Sequence, residues 1–344
     1  EYKYEQTRYL DSLAYIFYLQ SKCAAALENK GTFYISFNSS ATKLPQNRAK
    51  VLIKTLSEKN ETDILFLTLI LNKEFTTKAV PDLCAILQDN TEFTSLKEIA
   101  EGFREDIENS EDFIDKNFKK IINNELSLRS GDLVAKYIDL LDKISRIPLE
   151  LNLKSKFLRP YQDVKKLYKY LTDSNKELNI ELLPNDANIH AEYNISQKFP
   201  LAELLEINYI GVSKLCCGYC HAYLNKMGFK HRGTHGTCDD AWNMAYPYQI
   251  DDFKESIKPI MEFAPRNQER LLSTDEEFER GIDEGEFFAI KSQFIRAAGG
   301  GRGGGGAAAP EEPTFIISSP PEVVFPGDSG AASGGGAVLG DSSS

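Results

Sequence analysis

The chain lacks any long apolar segment. A helix that spans a bilayer needs about 20 consecutive apolar residues, and the strongest candidate, residues 64–71, covers only eight positions and includes Thr68. We therefore interpret this segment as buried core and expect no membrane contact. Nothing near Glu1 resembles a signal peptide, and the absence of an initial Met predicts a processed or excised fragment. An intracellular protein or a delivered effector is expected.

Cysteine is scarce, and basic residues are outnumbered by acidic ones. Six cysteines in 344 residues exclude a disulfide-rich scaffold. A net charge of −11 argues against a protein whose whole surface coats nucleic acid. Acidic residues are absent, however, from residues 208–236, which carry a net charge of +4. This stretch is either a local groove for nucleic acid or a solvated helix face.

Hydrophobic periodicity and composition predict two domains and a tail. Residues 1–147 carry apolar side chains mostly at helical intervals and are interpreted as a helical accessory domain, with a candidate short strand at 32–37. Residues 148–296 are predicted to form an α/β domain because strand-like and helical patterns alternate there. Residues 297–344 hold 13 of the 23 glycines and are predicted to be a disordered Gly/Ala/Ser-rich tail. Within the α/β domain the pattern predicts strands at 149–154, 178–182 and 209–212, and helices at 164–171, 217–227, 253–263 and 278–294.

Two short motifs carry the chemistry. His190-Ala191-Glu192 and Cys217-Gly218-Tyr219-Cys220 each lie where a predicted strand gives way to a helix. Three potential zinc ligands, His190, Cys217 and Cys220, are therefore expected at neighbouring helix N-termini, which favour the thiolate form of cysteine. Three protein ligands leave a fourth position for water, and Glu192 is close enough to transfer protons without binding the metal. H-x-E followed by C-x-x-C, with Zn²⁺ as cofactor, is the signature of nucleobase deamination.

Cys216 stands where that signature has proline, and it leaves alternatives open. Cys216 could replace Cys217 as a ligand, although the two-residue gap favours Cys217 with Cys220. A zinc finger would use Cys217, Cys220, His231 and His235, but its central gap is short. A non-catalytic structural zinc module would take a fourth ligand from Cys216, His231 or His235. Thiol redox chemistry at C-x-x-C would leave the His190 motif unexplained.

These motifs resemble the cytidine-deaminase-like superfamily, and more closely a toxin-type zinc deaminase family of intracellular bacteria and fungi. The resemblance is carried by residues 190–192, the string at 209–220, Arg-Gly-Thr-His-Gly at 232–236, and Trp242. It implies a three-layer α/β/α fold and zinc-dependent hydrolytic deamination of a nucleobase, with cytosine favoured over adenine. The substrate would be nucleic acid or a nucleoside, and the protein could be a toxin or effector. Candidate substrate-binding residues are Ser213, Lys214, His235 and Trp242.

Overall fold

The computed structural model describes residues 7–19, 23–37, 43–88, 93–174, 178–184, 189–199 and 205–235. The predicted helices at 253–263 and 278–294, the predicted tail and Trp242 lie outside the described residues. Among the described helices, none combines the length and the apolar character of a membrane-spanning segment.

A long run of helices separates the second strand from the third. The strands are β1 (Ala24–Asn29), β2 (Thr32–Phe37), β3 (Asn179–Leu182), β4 (Tyr209–Val212) and β5 (Lys230–His231). The helices are α1 (Arg8–Ile16), α2 (Lys43–Ser57), α3 (Glu61–Leu71), α4 (Val80–Gln88), α5 (Thr94–Ile122), α6 (Ser130–Ser145), α7 (Leu151–Asp173), α8 (Ala191–Lys198) and α9 (Gly218–Lys226). A π-helical turn, Phe75–Ala79, leads into α4.

The strands form one mixed sheet in the order β3-β2-β1-β4-β5. Strands β1 and β2 make an antiparallel hairpin in which Ala24 lies opposite Phe37. Lys30 and Gly31 connect them with positive φ angles of 51° and 77°, the conformation that a tight two-residue hairpin requires. Strand β4 is antiparallel to β1, and β3 is parallel to β2. Strands β3 and β4 therefore run in the same direction and finish at the same end of the sheet.

The sheet separates two hydrophobic cores. Along β1, Ala24 and Ala26 belong to the core shared with α1 and the run of helices, while Ala25 and Leu27 belong to the core shared with α8 and α9. This alternation is what a strand buried on both faces produces. The sheet thus lies between two helical layers, which confirms the predicted three-layer α/β/α fold class with an additional helical region.

The sheet also crosses the predicted domain boundary at residue 147. Residues 1–147 are mostly helical, but they supply β1 and β2, and these strands pair with β4 and β3 from the other side of the boundary. The helices α2–α7 are inserted between β2 and β3. The N-terminal half is therefore part of the sheet that carries the motifs.

The strand predicted at residues 149–154 is wrong. Helix α7 begins at Leu151 and includes the helix predicted at 164–171 as its second half. The alternation of three leucines was misleading, because the buried positions of α7 recur at helical intervals over its whole length. These positions include Leu153, Phe157, Val164, Leu167 and Leu171. The structure confirms the strands predicted at 32–37, 178–182 and 209–212 and the helix at 217–227.

Helix α1 packs directly on strand β4. A Cβ atom on Gly211 would lie 2.2 Å from the carbonyl carbon of Leu10, so only glycine allows this approach. The buried carboxylate of Asp11 accepts hydrogen bonds from the Val212 N–H at 2.9 Å and from the Tyr209 hydroxyl at 2.6 Å. Together these contacts fix the strand from which the cysteine motif follows.

Candidate active site

The two motifs occupy the first turns of helices α8 and α9. His190 is the N-cap of α8 in an extended conformation, and Glu192 lies in the first turn of that helix. Cys217 is the N-cap of α9, where its Sγ accepts a hydrogen bond from the Cys220 N–H at 3.4 Å. Because β3 and β4 end at the same end of the sheet, the two helix N-termini meet there, as the sequence predicts.

His190, Cys217 and Cys220 form a compact cluster of buried ligand atoms. His190 Nδ1 lies 3.5 Å from the Sγ atoms of both Cys217 and Cys220, and the three atoms lie within 4.8 Å of one another. Tetrahedral zinc, with bonds of about 2.3 Å to sulfur and about 2.0–2.1 Å to nitrogen, places those atoms about 3.6 Å apart. The spacing and the donor types therefore fit a zinc ion.

Cys216 is not part of this cluster in the described structure. Its backbone bridges to Thr234, and its Sγ lies 3.6 Å from His231 Nδ1. The opposite ring nitrogen of His231 lies 3.2 Å from His221 Nδ1. Because Cys216 and His221 contact opposite sides of the His231 ring, these three residues do not converge on one point. We interpret Cys216, His221 and His231 as a hydrogen-bonded group next to the metal-ligand cluster and not as a second metal site.

Three residues, not four, make up the cluster in the part of the chain that the structure describes. His231 is engaged by Cys216 and His221, and His235 is exposed. The described residues thus do not assemble the zinc finger or provide the fourth ligand that a structural zinc module would need. An arrangement of three ligands is the one that leaves a coordination position for water or substrate.

The thiols of the cluster differ in acidity. Hydrogen bonding from Cys220, assisted by His190, lowers the pKa of Cys217 to about 5 although burial acts against it. Burial raises the pKa of Cys220, and its hydrogen bond to Cys217 raises it further. These interactions favour the thiolate form at Cys217 over that at Cys220. A bound cation would favour deprotonation of both thiols.

Glu192 is almost fully buried, and one of its oxygens has no partner. The residue is 2% exposed, and Oε2 makes no hydrogen bond within the described residues. Burial, followed by the neighbouring Cys217 sulfur, raises the pKa of Glu192. A buried carboxylate oxygen without a protein partner is expected to bind a ligand or a water molecule, or to carry a proton. Its neighbours Cys217 and His190 place this carboxylate beside the metal-ligand cluster.

The predicted substrate-binding residues have different environments. Ser213 is fully buried, and its Oγ accepts a hydrogen bond from the Ala24 N–H at 2.9 Å. Lys214 donates to the Tyr18 hydroxyl at 2.6 Å and lies 4.5 Å from the centre of that ring. His235 is exposed. Contact of these residues with a substrate stays a prediction, as does that of Trp242.

Two residues near the site carried no signal in the sequence. The Sγ of Cys23 lies 3.6 Å from Ser213 Oγ, and the Cys23 thiol lies close enough to the Glu192 carboxyl group to interact with it electrostatically. Arg159 on α7 donates to the Ser213 carbonyl oxygen at 2.7 Å. Both residues lie far from the motifs in sequence, and only the sheet topology brings them together.

A comparison with models of protein families matches part of the chain to a deaminase family. The model of the OTT_1508-like deaminase family matches residues 189–246. This stretch contains His190, Glu192, Cys217 and Cys220, and it covers a minority of the chain. No curated protein and no solved structure matches. A deaminase-like function is therefore supported by the matched sequence and by the geometry of the same residues.

Proposed function

We propose that the chain is a zinc-dependent hydrolytic deaminase of a nucleobase. The observation that carries the proposal is a buried carboxylate oxygen of Glu192 that has no hydrogen-bond partner among the described residues and lies beside a cluster of three zinc-type ligands. A structural zinc site has no need for such a carboxylate. The deaminase family match over the same residues adds independent support.

His190, Cys217 and Cys220 would hold the zinc ion. Two thiolates and one neutral imidazole balance the 2+ charge of zinc and leave one position open. When bound, zinc activates a water molecule by lowering its pKa from about 15.7 towards 7. The low pKa of Cys217 and its hydrogen bonds at the start of α9 favour the thiolate that such binding needs.

Glu192 would move the protons of the reaction. Its carboxylate takes a proton from the attacking water and delivers it to the ring nitrogen beside the reacting carbon, which is C4 of cytosine or C6 of adenine. A second transfer protonates the amine, which leaves as ammonia, while the water oxygen stays on the ring as the carbonyl oxygen. Burial of Glu192 serves this role, because a carboxyl group with a raised pKa can both accept and return a proton near neutral pH.

We propose cytosine within nucleic acid as the substrate. The preference for cytosine over adenine rests on the resemblance to cytidine-deaminase-like proteins. The proposal of a polymeric substrate is supported by residues 208–236, which carry no acidic side chain and include the exposed Lys226 and Lys230. A toxin or effector role rests on the resemblance alone.

The test is a substrate panel with the purified full chain loaded with zinc. Single-stranded DNA, RNA, duplex DNA, cytidine and adenosine are offered in parallel, and ammonia release and base conversion are measured. We expect conversion of cytosine in a single-stranded polymer, loss of activity after chelation, and recovery when zinc is restored. Conversion of adenine alone would overturn the choice of base. No conversion of any base by zinc-loaded protein would contradict the proposed function.

A further inference from the structure

Arg159 connects the inserted helices to the segment that carries the cysteine motif. The side chain extends from α7, and its Nη2 donates a hydrogen bond to the Ser213 carbonyl oxygen at 2.7 Å. Ser213 directly follows β4, and residues 213–217, here called the site loop, lead from it to Cys217. The carbonyl at the start of this loop is thus held by a side chain from outside the matched family region.

The orientation of Arg159 is fixed on every side. Its Nε lies 3.2 Å from Asp163 Oδ2, and its Nη1 lies 3.2 Å from Glu74 Oε2. The guanidinium carbon lies 4.0 Å from the centre of the Tyr15 ring. All three nitrogens of the planar group are therefore engaged, which is a geometry that lysine cannot reproduce.

From Ser213 the contacts continue to Glu192. The Ser213 N–H donates to the Ala24 carbonyl at 2.9 Å, and the Ser213 hydroxyl lies 3.6 Å from Cys23 Sγ. The Cys23 thiol and the Glu192 carboxyl group in turn lie close enough to interact electrostatically. Ser213 thus belongs to the loop that leads to Cys217, and it also contacts Cys23, which lies near Glu192.

We propose that Arg159 is a positioning residue through which helix α7 fixes the site loop, and with it Cys217 and Glu192. The consequence for catalysis rests on the proposed function, whereas the ordering of the loop does not. A charged hydrogen bond to the first carbonyl of the loop restricts the conformations available to residues 213–217. Without it, the loop is expected to open more often while the sheet stays paired.

The experiment measures hydrogen exchange of the site loop in Arg159→Met. Methionine keeps an unbranched apolar side chain at this position, but it donates no hydrogen bond and carries no charge over the Tyr15 ring. The amides of Ser213 and Cys216, which donate to the Ala24 and Gly233 carbonyls, should exchange at least about tenfold faster than in the parent chain. The affinity for added Co²⁺, a spectroscopic substitute for zinc, should fall by about tenfold.

Arg48→Met is the matched control. Arg48 is a buried arginine on α2 that pairs with Glu111 and Asp115 on α5. Its loss should destabilise the helical region without changing exchange in the site loop or the affinity for Co²⁺. If Arg159→Met does not fold, the same measurements are made on a triple variant that also carries Glu74→Gln and Asp163→Asn. This variant removes the two carboxylates that lose their partner when Arg159 is replaced.

Faster exchange of the site loop in the Arg159 variant alone supports the proposal. Unchanged exchange of the site loop in a folded Arg159 variant would overturn it. Equal acceleration in Arg48→Met, compared at the same loss of thermal midpoint, would also overturn it by showing general destabilisation. The exchange measurement needs neither metal nor substrate. A parent chain without deaminase activity would therefore refute the proposed function, but the effect of Arg159 on the site loop could still be measured.

Discussion

Three cysteines within five residues have two different environments in the described structure. The sulfurs of Cys217 and Cys220 face His190, while that of Cys216 faces His231. The spacing of the motif favours the first pair but leaves Cys216 as an alternative. A backbone bridge pairs Cys216 with Thr234, in the same segment as His231, and this bridge has no signature in the local sequence.

This difference between the cysteines predicts the zinc content of variants in which each one is replaced. Purified parent protein should hold about one zinc per chain, and Cys217→Ser or Cys220→Ser should lose most of it because each removes a ligand. Cys216→Ser and Cys84→Ser should retain it, and Cys84 on α4 serves as the remote control. Zinc is measured by mass spectrometry of the metal. Loss of zinc from Cys216→Ser with retention in Cys217→Ser would show that the ligand assignment is wrong.

Other residues of the site could not be predicted from the sequence. His190 and Glu192 could be identified because their signal lies within three residues, and so could the C-x-x-C pair. Cys23 contacts Ser213 across 190 residues of sequence, and Arg159 contacts it across 54. Neither contact leaves a local pattern, since it exists only after β1, β4 and α7 have packed together.

At the scale of elements, short patterns were less reliable than long ones. The three alternating leucines around the start of α7 predict a strand, but the apolar repeat over the 23 residues of α7 favours a helix. Of the two hairpin strands, the sequence predicts β2 but not β1. The sequence of β1, Ala-Ala-Ala-Leu-Glu-Asn, contains no β-branched residue. Its burial on both faces, rather than its intrinsic propensity, makes it the centre of the sheet.

The contact between α1 and β4 gives a stability prediction. Gly211→Ala should lower the free energy of unfolding by about 1–3 kcal/mol or more, because the added methyl group would overlap the Leu10 backbone. Gly102→Ala is the control, since nothing lies within 4 Å of a Cβ atom there and α5 should gain up to about 1 kcal/mol from alanine. Denaturant unfolding compares them. Equal stabilities would contradict the close packing of α1 on β4.

At the scale of the whole molecule, the sheet unites residues on both sides of position 147. Helical periodicity suggested a division at that position, because most of residues 1–147 are helical. The pairing of β1 with β4 and of β2 with β3 is long-range, and periodicity carries no information about partners. The inserted helices α2–α7 therefore interrupt the deaminase-like sheet instead of preceding it.

This topology predicts the behaviour of a fragment. Residues 148–344 alone lack α1, β1 and β2, and with them the central strand and the helix that covers β4. The fragment should fail to give a cooperative thermal transition and should bind zinc with much lower affinity than the full chain. Circular dichroism and zinc titration test both points. A folded, zinc-binding fragment would show that the N-terminal strands are dispensable.

The central claim is that Glu192 transfers protons at a catalytic metal site. Glu192→Gln preserves the size and shape of the side chain, but the amide cannot accept and return a proton. The three metal ligands are untouched by this substitution, so zinc content should equal that of the parent chain.

Zinc content and deaminase activity of Glu192→Gln, measured on the same preparation, therefore decide whether Glu192 transfers protons. We expect full zinc and a loss of activity of at least about a hundredfold, the scale of general acid–base catalysis. Full zinc with undiminished activity on a verified substrate would contradict the role of Glu192.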